Sequence, residues 1–470
     1  MATVASDKSA LIGGAGLGFH IAWAYFFWDG SLLMGALGGV EGATSSAVIV
    51  HIGVAGLCSL VIALLASRIG SLFARPRLHG AFALIAAVSV PLAALAGNSS
   101  FPLTLAVVGF AVGGLGSMQR LAWEEYLSVR GVKTLALALP VAYAAAIVLY
   151  AAASMLARPL ALAVAALLPL VSFEILRRTA LAYPVPAELM ELMESRERST
   201  FAALPVDGWR FMGVLTLIYF VNGVMRPSSV AWIGSQLALA PAAITALTAV
   251  PSMLAIIVAY ALYRRRPMLT FYIAFPLMAL FSLIPSSWDP YSAGFTFCVA
   301  LVGMEFWFFF IDSIVKDGVS ALMCVGLLQA AQWIGGAAGR WSALAQPGAI
   351  NASTIVLFTL VIVLLIMTGF MTLSRQYAAD SEVDDEGSQE SASVGIGLDR
   401  RVRAASEQFG LTPREEEILA IWAAGRTSAY IESRLFISKN TVRTHLKHIY
   451  TKTSTANRED LMQLLDKLDA

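Results

Sequence analysis

Apolar residues in the first four-fifths of this chain run in long, nearly unbroken stretches. They do not follow the period of two or 3.6 that marks half-buried strands and helices. A stretch of about 20 apolar residues in a helix crosses the hydrocarbon core of a bilayer, and a helix satisfies its own backbone polar groups on the way. Stretches of this kind fall at residues 10–37, 45–67, 78–97, 101–120, 132–156 and 159–176. A polar segment, 177–210, follows, and then stretches at 211–236, 241–263, 268–286, 291–311, 319–345 and 351–373. The pattern predicts six spans, a hydrophilic loop and six more. The run Gly113-Gly114-Leu115-Gly116-Ser117 predicts close helix packing in the fourth span.

Loop charge gives the orientation, because cytoplasmic loops carry the excess of Lys and Arg. The loops after even-numbered spans hold Arg68, Arg75 and Arg77; Arg120, Arg130 and Lys133; Arg177, Arg178, Arg196, Arg198 and Arg210; Arg264, Arg265 and Arg266; and Lys316, with Arg375 after span twelve. The other side holds Arg158, Arg226 and Arg340. Both termini of a multi-pass membrane protein are therefore expected in the cytoplasm. The segment from Leu11 is too long for a signal-peptide core and reads as the first span. Six plus six spans about a cytoplasmic loop resembles the major-facilitator architecture of two parallel-related halves. The resemblance rests on span count and orientation over residues 10–375.

Composition agrees with this division and sharpens it. The chain has 470 residues, 58% hydrophobic and 13% charged, where a soluble chain carries about 25% charged residues. Twelve of its 32 Lys and Arg fall in the last 95 residues, a density ordinary for a soluble domain. Cys58, Cys298 and Cys324 lie in apolar stretches without metal-ligand spacing and read as small hydrophobes. No nucleophile–base set, phosphate loop or metal-ligand spacing is seen, so neither an enzyme nor a cofactor is expected. The expected organisation is a transmembrane domain at 1–375 (halves 10–176 and 211–373), an acidic linker at 376–405 and a soluble domain at 406–470. Asp380, Glu382, Asp384, Asp385, Glu386 and Glu390 give the linker its character.

In the tail the periodicity changes to that of short amphipathic helices. Thr412-Pro413-Arg414-Glu415 places Thr at N-cap, Pro at N1 and Glu at N3, a capping box ahead of Ile418, Leu419 and Trp422. Ile431 and Leu435 face inward from a second helix, and Ser438 caps a third, about 439–452. Val442, Leu446 and Ile449 form its core stripe, and its other face offers Lys439, Asn440, Arg443, Thr444 and Lys447. Between Ser433 and Thr455 there are five basic residues (Arg434, Lys439, Arg443, Lys447 and Lys452) and no acidic one. Such a helix fits a major groove, whose base edges present acceptors to Arg and Lys. On charge alone, packing on a protein or an anionic lipid stays open.

The order Leu411-Thr412-Pro413-Arg414-Glu415, Gly425, Ile431, Leu435, Ile437-Ser438, Thr441-Val442, His445, Ile449 and Lys452 resembles the LuxR-type (GerE-type) helix-turn-helix signature. The resemblance implies a four-helix domain whose third helix enters the major groove of double-stranded DNA. It places base reading on Arg443, Thr444 and Lys447, and phosphate contact or helix orientation on Ser438, Thr441 and His445. Two positions depart from it: Glu432 stands where Ala is usual, and Tyr430 where Glu is usual. A fourth helix, 457–468, carries Leu461, Leu464, Leu465 and Leu468; the resemblance implies that it can pair two domains as a homodimer. Together the halves resemble membrane-bound regulators with LuxR-type tails.

Polar residues inside spans are costly and so are site candidates. Glu305 and Arg340 are expected as polar anchors, with Trp307, Trp333, Asn222 and Arg226 beside them, around a small amphipathic or aromatic ligand. The expected fold class is all-α: a polytopic bundle of about 12 spans plus a four-helix DNA-binding domain. The function expected is a one-component sensor and transcription regulator embedded in the lipid bilayer. The alternative is a secondary transporter carrying a regulatory DNA-binding tail, and Glu305 is read as the deepest acid in spans otherwise poor in them.

Overall fold

The computed structural model describes residues 2–34, 43–95, 102–185, 190, 212–225, 241–265, 269–283, 290–317, 319–345, 401–423, 431, 439–455 and 458–467. Every regular element among them is a helix. The chain divides into two compact units, Met1–Thr368 and Gly369–Ala470.

The first unit begins with α1 (Ala2–Asp29) and the short α2 (Ser31–Met34), then α3 (Ala43–Leu64), α4 (Ala66–Ile69) and α5 (Pro76–Ala94). The chain continues through α6 (Pro102–Gly116), α7 (Gln119–Ser128), α8 (Val132–Ser154) and α9 (Arg158–Ala182). The second half contributes α10 (Met212–Met225), α11 (Pro241–Tyr263), α12 (Leu269–Leu283), α13 (Pro290–Asp317) and α14 (Ala321–Ala345). These helices correspond to the first eleven expected spans. The twelfth, 351–373, lies outside the described residues.

The unit is apolar outside as well as inside. Leu57, Leu84, Val148 and Leu167 are each more than half exposed, which suits side chains that meet lipid tails rather than water. Small residues let the helices approach. A Cβ at Gly116 would lie 2.6 Å from the Ala86 Cα, and one at Gly114 would run into the His51 carbonyl oxygen. The glycine run of the fourth span therefore packs as its sequence predicts.

Two contacts define how the halves meet. α3 packs along α14, and α8 packs along α11. Numbered as spans, these are two with eleven and five with eight. Adding six to the numbers of the first-half helices converts one pair into the other. The halves are thus related by an approximate two-fold operation that no sequence repeat discloses, as in transporters built from parallel-related repeats.

Two span boundaries differ from expectation. The fourth span continues through a tight turn at Ser117 and Met118 into α7 and ends at Ser128, not at 120. The sixth reaches Ala182, so Arg177 and Arg178 belong to helix α9, where both pair with Glu174. In both places a hydropathy count stops at the charge, because it does not register that the charge is compensated within the helix. At the end of the bundle where these two spans finish, the connections are tied together. The Glu125 carboxylate accepts the backbone N–H groups of Leu72 and Phe73 at 2.9 and 3.2 Å. Tyr126 and Arg130 both donate to the Tyr183 carbonyl.

The second unit is built from a helix at 401–409 (α15), then α16 (Pro413–Ala423), α17 (Lys439–Thr453) and α18 (Arg458–Lys467). Its core gathers Val402, Ala405, Ile418, Leu419, Ile431, Val442, Leu446, Ile449, Leu461 and Leu465. Val402 and Ala405 belong to that core, so the expected linker end at 405 falls inside α15. α15 stops at Gly410, whose positive φ of 62° allows Leu411 N–H to reach back to the Ser406 carbonyl at 3.0 Å.

Candidate functional site

A partly open cavity of about 160 Å³ lies between the halves of the membrane unit. α1 contributes Tyr25 and Trp28, α7 contributes Arg120, and α8 contributes Tyr143. From the second half come Tyr219 and Asn222 on α10, Ser252 on α11, Thr296 on α13, and Gln332, Trp333 and Arg340 on α14. Gly223 and Gly336 line it as well, where α10 and α14 are in close contact. The described part of the wall is mixed: five aromatic side chains, two arginines and several neutral polar groups, with no carboxylate among the described lining residues.

Arg120 is held from behind. Its Nε lies 2.5 Å from Glu124 Oε1, one turn further along α7, and the Glu124 side chain is fully buried. Both Glu124 oxygens also accept from Gln329 Nε2 at 2.7 Å. Gln329 belongs to α14, so this cluster joins the two halves directly below the cavity wall. A lone charge at such depth is costly, whereas an i,i+4 ion pair with a further donor forms a neutral, hydrogen-bonded unit. Sequence reading placed Arg120 in a cytoplasmic loop and did not single out Glu124. Their four-residue spacing ahead of Tyr126 and Leu127 was the available signal.

Of the expected ligand residues, Asn222, Trp333 and Arg340 line the cavity. Glu305 and Trp307 are buried in α13, each 3% exposed, and are not among the lining residues. Glu305 is not alone as a buried acid, since Glu124 and Glu125 are 0% and 2% exposed. Arg226 lies outside the described residues. Other polar groups of the spans have structural partners: His20 meets Gln119 at 3.1 Å, His51 meets Ser117 at 3.3 Å, and Tyr150 donates to Asp29.

In the tail unit the capping box is realised in both directions. Thr412 N–H donates to Glu415 Oε2 at 2.8 Å, and Glu415 N–H donates to Thr412 Oγ1 at 3.3 Å. Glu415 also pairs with Lys452 at 2.6 Å, and Lys452 donates to the Gly410 carbonyl at 2.9 Å. Burial pushes the Glu415 carboxyl up, but bonds from Lys452 and Thr412 outweigh it and hold the pKa at about 2. Lys452 therefore serves the internal structure, which removes one of the five bases attributed to the DNA-facing helix.

α17 carries the opposed faces that groove reading requires. Val442, Leu446 and Ile449 are buried, while Arg443, Thr444 and Lys447 are exposed. Arg443 and Lys447 are one turn apart, with Thr444 beside them, so all three project from one side. His445 is half-buried, and its Nδ1 has no hydrogen-bond partner among the described residues. The backbone of Lys439, Asn440 and Thr441 opens α17, but their side chains lie outside the described set, as do Ser438, Tyr430 and Glu432. In α18, Leu461 and Leu465 enter the core, Leu464 is half-buried against it, and Leu468 lies outside the described residues. Arg458 fixes α18 by donating to the Trp422 carbonyl at 2.9 Å with its guanidinium over the Trp422 ring.

Comparison with known proteins agrees with this division. The family described as bacterial regulatory proteins, luxR family, matches residues 410–465. A Mycobacterium bovis protein named as an HTH-type transcriptional regulator is 33% identical over 105 residues, 21% of this chain and 12% of its own length. A transcriptional regulatory protein of Hyphomicrobium methylovorum is 50% identical over 48 residues, 10% of this chain and 23% of its own. The similarity to these relatives thus spans a small part of their length. Among solved structures, the human organic anion transporter MFSD10 aligns with a TM-score of 0.54 at 13% identity, covering 77% of this chain and 99% of its own. The major-facilitator proton:xylose symporter XylE aligns with the same score and identity over 78% and 95%. The chain carries a LuxR-type helix-turn-helix domain at its C-terminal end. Its membrane unit has the major-facilitator fold.

Proposed function

We propose that this chain is a membrane-bound one-component transcription regulator. Its bundle, in the bacterial inner membrane with both termini in the cytoplasm, binds a small molecule, and its tail binds promoter DNA. The observation that carries this reading is the union in one chain of a luxR-family domain with Arg443, Thr444 and Lys447 facing outward and a transporter-type fold with a polar cavity. Residues 374–400 are too few for a phospho-acceptor domain between the units, so the membrane unit supplies the signal. Lys439, Asn440, Arg443, Thr444 and Lys447 meet the DNA, with Ser438, Thr441 and His445 fixing phosphates or helix orientation. Pairing of two tails through α18 lets them read half-sites about one helical turn apart.

Chromatin immunoprecipitation of the tagged protein from its own host tests the reading. Discrete promoter peaks that vanish in the Arg443→Ala strain are expected; uniform background in both strains would remove it. A second reading, active transport with a regulatory tail, draws on the buried Arg120–Glu124 pair in a transporter fold. Saturable, gradient-driven uptake into proteoliposomes decides between the two.

A further inference from the structure

The luxR-family segment begins at residue 410, but the folded core of the tail begins earlier. α15, at 401–409, supplies Val402 and Ala405, 3% and 0% exposed, to the same core as Ile418, Val442, Ile449 and Leu461. Phe409 packs against that core from its last turn. The chain coming from the membrane unit passes through the acidic stretch and enters this core at α15. The same helix is thus part of the DNA-binding unit and the place where its tether is attached.

The end of α15 is bonded to both neighbouring helices at one corner. Ser406 Oγ donates to Glu416 Oε2 at 2.7 Å, and the Ser406 carbonyl accepts Leu411 N–H at 3.0 Å across Gly410, whose φ is 62°. From α17, Lys452 donates to the Gly410 carbonyl at 2.9 Å and pairs with Glu415 at 2.6 Å. Lys452 stands near the end of the unbroken helix Lys439–Thr453 that also carries Arg443, Thr444 and Lys447. Lys447 and Lys452 are separated by about 7.5 Å of helix rise, a span over which a helix moves as a rigid rod. The seating of α15 therefore bears on one end of a helix whose other end faces outward.

We propose that α15 and the Gly410–Lys452–Glu415 corner form the input joint of the DNA-binding unit. With α15 docked, α17 is held in its binding orientation; displacement of α15 through the tether frees Lys452 and weakens promoter binding. The proposal rests on the DNA-binding reading of Arg443, Thr444 and Lys447 and adds its regulation. Lys452 is a positioning residue, acting through α17.

The test uses the full chain in lipid nanodiscs and a labelled duplex of the promoter recovered by immunoprecipitation. Fluorescence anisotropy gives affinity, and hydrogen exchange read by mass spectrometry gives the protection of each helix in the same samples. No described atom lies within 4 Å of a carbon added at Gly410, so Gly410→Ala acts through backbone conformation alone. It should speed exchange in 401–409, leave 439–453 protected and weaken promoter binding about fivefold, the effect of a β-carbon in the left-handed region. Gly410→Asn should stay within about twofold of wild type, because Asn tolerates that region. Lys452→Met should weaken binding similarly, and Lys452→Arg, which keeps a donor, should not. In the Lys452→Met background, Gly410→Ala should add less than about twofold, since both changes act on one link.

Unchanged promoter affinity in Gly410→Ala overturns the proposal, as do additive effects of the two changes. If Gly410→Ala opens the whole tail, Ser406→Ala, which removes a single side-chain bond of the corner, takes its place under the same criteria. A wild-type chain that does not prefer the promoter to a scrambled duplex removes the DNA-binding reading and this proposal with it. Wild-type preference with affinities unmoved by the variants removes the joint alone.

Discussion

At the scale of single residues, the tail separates into side chains proposed to read DNA and side chains that hold the fold. Arg443 is exposed on α17, without a side-chain bond among the described residues, so Arg443→Ala should leave the fold intact. Its expected cost is ~1–3 kcal/mol of specific binding with one base preference relaxed, whereas loss of a phosphate contact weakens all sequences alike. Fluorescence anisotropy with the promoter recovered by immunoprecipitation, and a panel of single-base variants of it, measures both; identical profiles for wild type and variant would retire the assignment. Glu415 behaves differently. Its folded pKa of about 2 lies below the ordinary 4.5, so the stability it contributes is complete above pH 4.5 and is lost as pH falls toward 2. Thermal melts of residues 401–470 should show a Tm decline across that window, and Glu415→Gln should flatten it. Lys452→Met should cost roughly 1 kcal/mol, since the lysine end of the pair is partly open to solvent and screened.

The contrast between Arg443 and Lys452 marks what sequence can tell about a site. Both are basic, on one predicted helix, without an acid nearby in sequence. The partner of Lys452 stands 37 positions earlier, and only the packing of α16 against α17 brings it within 2.6 Å. Arg120 shows the opposite case. Its partner is four residues away, but hydropathy counting ended the span at that arginine and classed it with the loop. Glu305 and Trp307 were legible as intramembrane polar and aromatic residues. Whether they faced a cavity or a neighbouring helix was not, because a uniformly apolar helix gives no face to read.

At the scale of elements, helix existence followed directly from composition, and helix contact followed from small residues. The clearest case beyond the fourth span is the seam between α10 and α14. A Cβ at Gly335 would strike the Thr216 carbonyl oxygen, one at Gly339 the Phe220 carbonyl oxygen, and one at Gly223 the Gly336 carbonyl oxygen. These are backbone atoms and cannot rotate away, so Gly339→Val must push the two helices apart and open the cavity wall they share. Loss of the monodisperse peak in detergent size-exclusion chromatography is expected for Gly339→Val. Gly213→Ala on the same α10, where nothing lies within 4 Å of the added carbon, should elute as wild type. Equal behaviour of the two variants would mean that the seam is looser than its geometry. The approximate two-fold relation of the halves belongs to this scale as well. It was invisible in sequence because lipid-facing and helix-facing positions accept any apolar residue of suitable size, so two halves can diverge fully and still pack alike.

At the scale of the whole molecule, the proposed function depends on communication along the chain between a bundle and a DNA-binding unit. Only the segment between Arg375 and Arg401 joins them covalently, and its acids give it little to bury. If the bundle sets the state of the tail, the effect must pass through that segment or through contacts that it permits. An allosteric coupling of ~1–3 kcal/mol changes promoter affinity by about 5- to 150-fold. A protease site placed between Asp385 and Ser391 turns this into a measurement. In nanodiscs, the intact chain should show a ligand-dependent promoter affinity within that range. After cleavage, the freed tail should keep its sequence preference, because Ile418, Val442, Ile449, Leu461 and their neighbours form a core of its own. Its affinity should then be the same with and without ligand. A cleaved tail that still responds would show that the signal enters the DNA-binding unit directly. The bundle would then be an anchor or a transporter beside it rather than the sensor.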